Sequence, residues 1–242
     1  ALLVQVFNAL RPYLAPLLAL SANSPFYRGR DTGLSSYRAM QFLLMPRTGT
    51  PPLISAVETE QARIADLMQR GSIHKAASIW TDARLHPLYN TIEVRVCDMQ
   101  TAPQEAAALA VLTGAIAIWL AEQIQSGKQP DSGDDWLLRE DRWQAARRGI
   151  GATLQQRHGA QTVSDFWLVM LETLLPLLQQ LQTSTQGAVL DVLLQPVLGD
   201  TPLTSWQPRQ QRPSLREALQ SKARIDKSWS IASRSEERRV GK

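Results

Sequence analysis

Apolar residues recur at helical spacing in several long stretches of the chain. This spacing predicts four helices, over residues 3–20, 55–70, 102–125 and 163–182. A fifth helix, charged and amphipathic, is predicted over residues 135–157. Gly71 fits a stop at the end of the second helix. Thr101–Gln104 resembles a capping box, with Pro103 in the first turn of the third helix.

Between the second and third helices, polar and apolar residues alternate in two short runs. The runs SIWTDARL and TIEVRVC flank the turn-like segment HPLYN, a pattern that predicts a β-hairpin. A four-residue loop over residues 87–90 would place Arg84 opposite Glu93. The same loop would place Asp82 opposite Arg95, on the same face. A loop one residue longer would bring unlike faces together, so we expect the four-residue register.

Two interpretations of this charged face follow from the residues alone. The first is a set of cross-strand ion pairs on a solvated surface. The second is a binding site, in which a carboxylate holds a metal and guanidinium groups hold phosphate or carboxylate. Residue spacing does not decide between them. Asp98 follows on the opposite side of the strand, and we expect it to cap the turn before Thr101.

Composition narrows the possible classes of protein. With 242 residues, of which 44% are hydrophobic, the chain can form a sizeable core. Cys97 is the single cysteine, which excludes an internal disulfide and fits a reducing, cytoplasmic compartment. We expect Cys97 to be structural, because nothing near it in the sequence activates a thiol. The three histidines are scattered without the spacing of zinc ligands.

The net charge of +4 is unevenly distributed. Residues 1–205 contain 16 Lys and Arg against 18 Asp and Glu, whereas residues 206–242 contain 10 against 4. A nucleic-acid site requires a basic stripe on a folded surface, and the basic residues here are in the tail. We therefore expect no nucleic-acid partner. A basic, helical nucleic-acid-binding protein is the less favoured alternative.

The first predicted helix could be mistaken for a signal or membrane segment. Its apolar run is interrupted by Asn8, Arg11, Pro12 and Pro16, and it has neither a starting methionine nor a basic end. We therefore expect a buried helix and no membrane partner. A chain that opens inside a helix in this way is expected to be a fragment of a longer protein.

The polar and basic C-terminal sequence suggests a division of the chain. We expect residues 1–200 to form the folded portion and residues 201–227 to form an irregular extension. Residues 228–242 end in SRSEERRVGK, which resembles translated vector sequence. We therefore expect a disordered tail there that is not native.

Three blocks of sequence together resemble the carboxylate–amine ligases of the type 2 glutamate–cysteine ligase family. They are LSANSPFYRGRDTGLSSYR (20–38), IWTDARLHPLYNTIEVRVCD (79–98) and LLREDRWQAARRG (137–149). Their order and approximate spacing match over about residues 5–160. The resemblance implies an α+β fold, in which several long helices pack on the antiparallel sheet of a glutamine-synthetase-like catalytic domain.

The resemblance also implies a reaction. ATP, with magnesium, would phosphorylate a side-chain carboxylate, typically that of glutamate. An amine, typically that of cysteine, would then displace phosphate from the acyl phosphate and form an amide. The implied partners are these small molecules, and a homodimer is compatible with the family.

The site residues are carried over from the family motifs one by one. Glu93 matches a metal-binding glutamate. Arg95 matches an arginine that handles phosphate or the substrate carboxylate, and Arg84 belongs to a Trp-Asp-x-Arg block that lines the same site. We expect both arginines to be catalytic. The residues expected to bind the nucleotide or substrate are Trp80, Asp82, Asp31, Arg38 and, less strongly, Arg30.

The main departure from the family lies before residue 1. Family members begin with a long segment that contains a strand with paired glutamates and a strand with a His-x-His motif, and neither is present here. Half of the catalytic sheet and several carboxylates would then be missing. We therefore expect the chain alone to be inactive. A non-catalytic interaction protein or pseudoenzyme is the alternative.

Overall fold

The computed structural model describes residues 1–86, 89–156 and 159–181. The predicted extension over 201–227 and the tail over 228–242 lie outside these residues. In chain order the helices and strands are α1 (Leu2–Ser21), β1 (Phe26–Tyr27), β2 (Arg30–Asp31), α2 (Tyr37–Phe42), β3 (Thr48–Gly49), α3 (Val57–Gln69), β4 (Trp80–Thr81), β5 (Ala83–His86), β6 (Thr91–Val94), α4 (Pro103–Gln125), α5 (Asp135–Arg148), β7 (Thr153–Gln156), β8 (Gly159–Thr162) and α6 (Val163–Leu181).

Helix α1 lies at the centre of the core. It packs against α4, α5 and α6, and its residues Leu17 and Leu18 are completely buried. By length and composition alone, α1 and α4 could each cross a membrane. Most of α1 is nevertheless buried within the protein, as a core helix is. The prediction of a buried helix over residues 3–20 is therefore confirmed.

The polar residues that interrupt the apolar pattern of α1 form hydrogen bonds with other segments. Asn8 accepts a hydrogen bond from Ile54 N (3.0 Å) and donates one to Ile54 O (2.8 Å). Arg11 is 1% exposed, and a buried guanidinium needs acceptors. It donates to three of them, Pro51 O (2.8 Å), Ser132 O (3.0 Å) and the Asp135 carboxylate. The breaks in the apolar pattern thus mark tertiary contacts.

The four helices predicted from apolar spacing are confirmed as α1, α3, α4 and α6. Gly71, just after α3, has a φ of +69°, which glycine adopts without strain at a helix end. The cap of α4 is one residue later than predicted. Pro103 takes the first helical position, so Ala102 is the N-cap, and its N–H donates to Glu105 (3.3 Å) instead of Gln104.

Helix α5 is shorter than predicted. It ends at Arg148, so the prediction of helix is wrong over residues 149–156, and residue 157 lies outside the described residues. Gly149 has a φ of +54°, outside the helical region, and a short 3₁₀ turn over Gly149–Gly151 follows. The chain then reverses into the hairpin of β7 and β8. The hairpin is favoured over a longer α5 because it buries Leu154 completely and because Gln155 N donates to the Asp141 carboxylate of α5.

The strands pair in twos. β1–β2, β5–β6 and β7–β8 are antiparallel hairpins, and β3–β4 is a parallel pair. Within the described residues these pairs are separate two-stranded sheets, not one extended antiparallel sheet. Helices and small sheets together confirm the α+β class. The glutamine-synthetase-like arrangement remains a prediction.

The predicted register of the charged hairpin is confirmed. In β5 and β6, Arg84 lies opposite Glu93, and His86 lies opposite Thr91. The pairing continues beyond the named strands, because Arg95 N donates to Asp82 O (2.7 Å). Asp82, Arg84, Glu93 and Arg95 therefore have the backbone positions that the predicted register requires.

A substitution at Gly149 tests the close packing of the end of α5 against the loop before α2. A Cβ at this position would lie 3.1 Å from Ser35 Cβ, in a backbone conformation that side chains rarely adopt. We expect Gly149→Ala to lower the free energy of unfolding by about 1–3 kcal/mol, measured by urea denaturation.

The matched control is Gly151→Ala, two residues along. A Cβ at Gly151 would have no atom within 4 Å, and its φ is outside the left-handed region. This variant should be within about 0.5 kcal/mol of the parent chain or slightly more stable. Equal losses for the two variants would contradict the proposed strain at Gly149.

Candidate active site

Two arginines hold the carboxylate of Glu93. Strand pairing brings Arg84 across from it, and its Nε donates to Glu93 Oε2 (2.8 Å). Arg95 lies two residues further along the same chain segment, and its Nη1 donates to Glu93 Oε1 (2.7 Å). Each carboxylate oxygen thus accepts from a different guanidinium. We call Arg84, Glu93 and Arg95 the arginine clamp.

The arginine clamp carries surplus positive charge at a partly exposed position. Burial by itself raises the pKa of Glu93, but the hydrogen bonds and charges of Arg84 and Arg95 outweigh it and hold the pKa below its usual value. Glu93 is therefore ionised at neutral pH. Two guanidinium groups against one carboxylate leave one net positive charge, which favours an oxyanion nearby.

The two arginines of the clamp are held differently. Arg84 Nη1 also donates to Ala77 O (3.0 Å) and Ile79 O (3.1 Å), and its side chain is 14% exposed. Arg95 is 27% exposed, and its only side-chain hydrogen bond within the described residues is the one to Glu93. Arg84 is therefore fixed in place, whereas Arg95 has N–H groups that can bind a ligand.

Arg38 reaches the same segment from α2. Its Nη2 donates to Arg95 O (2.9 Å), and its Nη1 donates to Val96 O (3.3 Å) and to Asp98 Oδ1 (3.3 Å). The guanidinium also lies over the Phe42 ring, 5.0 Å from its centroid. The structure thus brings this predicted site residue to the backbone of residues 91–96, the segment that carries Glu93 and Arg95, which we call the clamp strand.

Asp98 does not cap the turn before Thr101, and that prediction is wrong. Its carboxylate is buried and turns instead toward the segment after α1. There it accepts hydrogen bonds from Asn23 N, Ser24 Oγ, Ser36 Oγ and Arg38. These donors satisfy both oxygens, which explains why the carboxylate can be buried.

Asp82 pairs with a residue that the sequence did not single out. The predicted ion pair between Asp82 and Arg95 is absent, since Arg95 binds Glu93. Asp82 accepts two hydrogen bonds from Arg142 of α5, Nε to Oδ2 (2.6 Å) and Nη2 to Oδ1 (3.1 Å). Both side chains are buried. A buried two-point pair is stronger than an exposed one, so Asp82 is not available to a ligand here.

The position of Arg142 in the sequence indicates a buried ion pair. It lies on the buried face of α5 with Leu138, Ala145 and Ala146. An arginine at such a position indicates a buried partner, because an unpaired charge in the interior is costly. Its Nη2 also donates to Ala39 O (3.1 Å), which links α5 to α2.

The other predicted site residues lie on separate elements. Trp80 in β4 is 37% exposed and pairs with Thr48 of β3. Arg30 and Asp31 form the exposed strand β2, where Asp31 Oδ1 accepts from Gly33 N (2.9 Å). In the described part of the chain, no side-chain hydrogen bond or ion pair joins Arg30 or Asp31 to the arginine clamp.

The described residues do not complete a magnesium site. They contain no group of three or more His, Cys, Asp or Glu side chains that could hold a metal ion. Glu93 is a single carboxylate whose two oxygens both accept from arginine. Magnesium needs several oxygen ligands, so these residues do not fit the ion by themselves, and we assign it no step.

Comparison with known proteins supports the resemblance. The model of glutamate-cysteine ligase family 2 matches residues 1–221. A protein from Frankia alni, named as a candidate glutamate–cysteine ligase 2-1, is 34% identical over 192 residues, which cover 78% of this chain and 50% of that protein.

Two proteins named glutamate–cysteine ligase are also similar. The one from Haloferax volcanii is 41% identical over 146 residues, covering 60% of this chain and 41% of that protein. The one from Natronomonas pharaonis is 37% identical over 160 residues, covering 66% and 44%. The chain thus spans about half the length of the curated relatives it matches.

The buried pair gives a test of how α5 holds the charged hairpin. Arg142→Ala would leave Asp82 buried without its cation, and we expect the free energy of unfolding to fall by about 3–5 kcal/mol. The matched control is Arg139→Ala, an exposed position of the same helix, with an expected change within about 0.5 kcal/mol. Similar losses for both variants in urea denaturation would contradict the pairing.

The thiol of Cys97 gives a test with a pH dependence. Burial is the main cause that raises its pKa to about 11, although a hydrogen bond with Ser21 opposes it. An ordinary thiol is about half ionised at pH 8.5, whereas Cys97 should be almost entirely protonated. We expect a thiol reagent to modify the folded chain at pH 8.5 about 100-fold more slowly than the urea-unfolded chain.

The rate in the folded chain should also keep rising up to about pH 11. N-acetylcysteine, whose thiol is unperturbed, serves as the control. Equal reaction rates of folded and unfolded chain at pH 8.5 would show that the thiol is not protected.

Proposed function

Because this chain belongs to glutamate-cysteine ligase family 2, we propose that the protein containing it is an ATP-dependent carboxylate–amine ligase. Glutamate and cysteine are the proposed substrates, since relatives of the chain carry the name glutamate–cysteine ligase. The single observation that carries the proposal is the arginine clamp, a partly exposed pair of guanidinium groups that one carboxylate only half neutralises.

The proposed reaction has two steps. In the first, an oxygen of the substrate carboxylate attacks the terminal phosphorus of ATP, the bond to the bridging oxygen breaks, and ADP leaves. In the second, the amine attacks the carbonyl carbon of the acyl phosphate, inorganic phosphate leaves, and the nitrogen loses a proton. The first step is phosphoryl transfer, in which a protein contributes mostly position and charge.

Arg95 is the residue best suited to bind the reacting groups. Its guanidinium has available N–H groups in a planar fork, which matches a phosphoryl group or a carboxylate. Arg84 acts on it indirectly, because it holds Glu93 and is itself held by two backbone carbonyls. A fixed positive charge next to the transferring phosphoryl group stabilises the charge that develops there.

Magnesium and the remaining contacts belong to the whole protein. We propose Glu93 as one magnesium ligand among others that the described residues do not include. Trp80, Arg30, Asp31 and Arg38 are proposed to contact the nucleotide or the amino-acid substrate. Asp82 is proposed to serve indirectly, because its ion pair with Arg142 sets the position of the hairpin. We also propose that residues 1–242 alone do not catalyse the reaction.

The test uses the whole protein that the gene encodes, incubated with ATP, magnesium, glutamate and cysteine. We expect ADP release that requires both amino acids, and mass spectrometry should detect their amide. Arg95→Ala and Glu93→Ala should each lower kcat/KM by about 100-fold or more, because each removes part of the charged site.

The control is Arg63→Ala, which removes an exposed arginine paired with Glu60 on α3. This variant should keep kcat/KM within about twofold of the parent. Activity that survives both substitutions in the clamp would exclude it as the active site. ADP release by residues 1–242 alone would contradict the proposal that the chain needs the rest of the protein.

A further inference from the structure

The segment after α1 forms a closed loop over residues 24–36. Its two ends meet, because Ser24 N donates to Ser35 O (3.1 Å) and Tyr37 N donates to Ser24 O (2.8 Å). A parallel bridge also joins Ser24 to Ser36. Between these ends the loop carries the hairpin of β1 and β2, with Arg30 and Asp31 exposed. We call the meeting of Ser24 and Ser36 the loop neck.

The carboxylate of Asp98 holds both sides of the loop neck. Its Oδ2 accepts from Ser24 Oγ (2.7 Å) and from Asn23 N (2.8 Å), and its Oδ1 accepts from Ser36 Oγ (3.0 Å). Asp98 is 4% exposed, so water does not compete for these oxygens. One side chain from another part of the sequence therefore closes the loop.

The same carboxylate joins the loop neck to the arginine clamp. Asp98 lies three residues after Arg95 along the chain. Arg38 gives Asp98 a positive partner through Nη1 (3.3 Å), while its Nη2 donates to Arg95 O (2.9 Å). The loop neck and the clamp strand are thus fixed to each other by one ion pair and its hydrogen bonds.

A carboxylate suits this place better than an amide. The four groups around Asp98 all donate, and a carboxylate only accepts, with two oxygens that can each take two hydrogen bonds. An asparagine would turn two N–H donors toward groups that also donate. Asp98→Asn therefore changes the hydrogen bonding at the neck with little change in shape.

We propose that Asp98 is a positioning residue of the ligase. It holds the loop of residues 24–36 against the clamp strand, so that Arg30 and Asp31 meet the nucleotide whose phosphate the clamp binds. The catalytic part of this inference rests on the function proposed above. The structural part, that Asp98 holds the loop, does not.

Limited proteolysis tests the structural part without any assay of activity. Trypsin cleaves after arginine, and Arg28 lies at the tip of the loop. Well below the unfolding temperature, we expect cleavage after Arg28 to be about tenfold faster in Asp98→Asn than in the parent chain. Cleavage after Arg70 at the end of α3 should be unchanged.

Two further variants complete the proteolysis experiment. Ser24→Ala removes one hydroxyl from the neck and should give a smaller, still loop-specific increase, even if Asp98→Asn folds poorly. Asp66→Asn makes the same substitution at an exposed position of α3 and should change nothing at the loop. An unchanged rate after Arg28, or an equal increase at Arg70, would overturn the proposal.

Steady-state kinetics of the whole protein test the catalytic part. We expect Asp98→Asn to raise KM for ATP by about tenfold and to lower kcat by no more than about threefold. A lower kcat at unchanged KM would overturn the assignment of the loop to the nucleotide. If the parent protein has no ligase activity, the proposed function fails, and the proteolysis result alone decides whether Asp98 holds the loop.

Discussion

The buried ion pair between Asp82 and Arg142 is the interaction on which the arrangement of the candidate site depends. Neither charge can remain unpaired in the interior, so α5 and the charged hairpin must keep one fixed relation. Arg142 also donates to a carbonyl of α2, which places the helix that carries Arg38. The arginine clamp lies on the more exposed side of the same hairpin, so its position depends on this ion pair.

The hairpin therefore has charged residues of two kinds. Asp82 and Asp98 are buried, and each is neutralised by an arginine from another element. Glu93 is partly exposed and holds two arginines from its own hairpin segment, which leaves positive charge to spare. Buried pairs of this kind fix geometry, whereas the partly exposed group can exchange a protein contact for a ligand contact. The buried pairs and Glu93 differ in this way because Glu93 is accessible to solvent and has two positive partners instead of one.

Patterns local to the chain were enough to predict much of the fold. The period of two along the hairpin and the length of its loop gave the register in which Arg84 meets Glu93. Helical spacing gave α1, α3, α4 and α6. The same spacing predicts too long an α5, because it does not reveal the positive φ of Gly149 or the packing of the following hairpin on α5.

Partners distant in sequence could not be predicted in the same way. The partner of Asp82 lies 60 residues away, and the donors to Asp98 lie 60 or more residues away. Period and spacing contain no information about such contacts. The resemblance to a ligase family predicts which residues form the candidate site, but the hydrogen bonds that these residues make are seen only in the three-dimensional structure.

The central position of α1 has a consequence for how the chain folds. Arg11 binds Asp135, 124 residues away, and the Trp167 indole N–H donates to Pro16 O across 151 residues. Contacts over such separations form late and slow folding, because a long loop must close first. During synthesis α1 is made well before α4, α5 and α6, so its apolar surface stays uncovered while they are translated. Protection of α1 by a chaperone at the ribosome would then matter more than protection of any later helix.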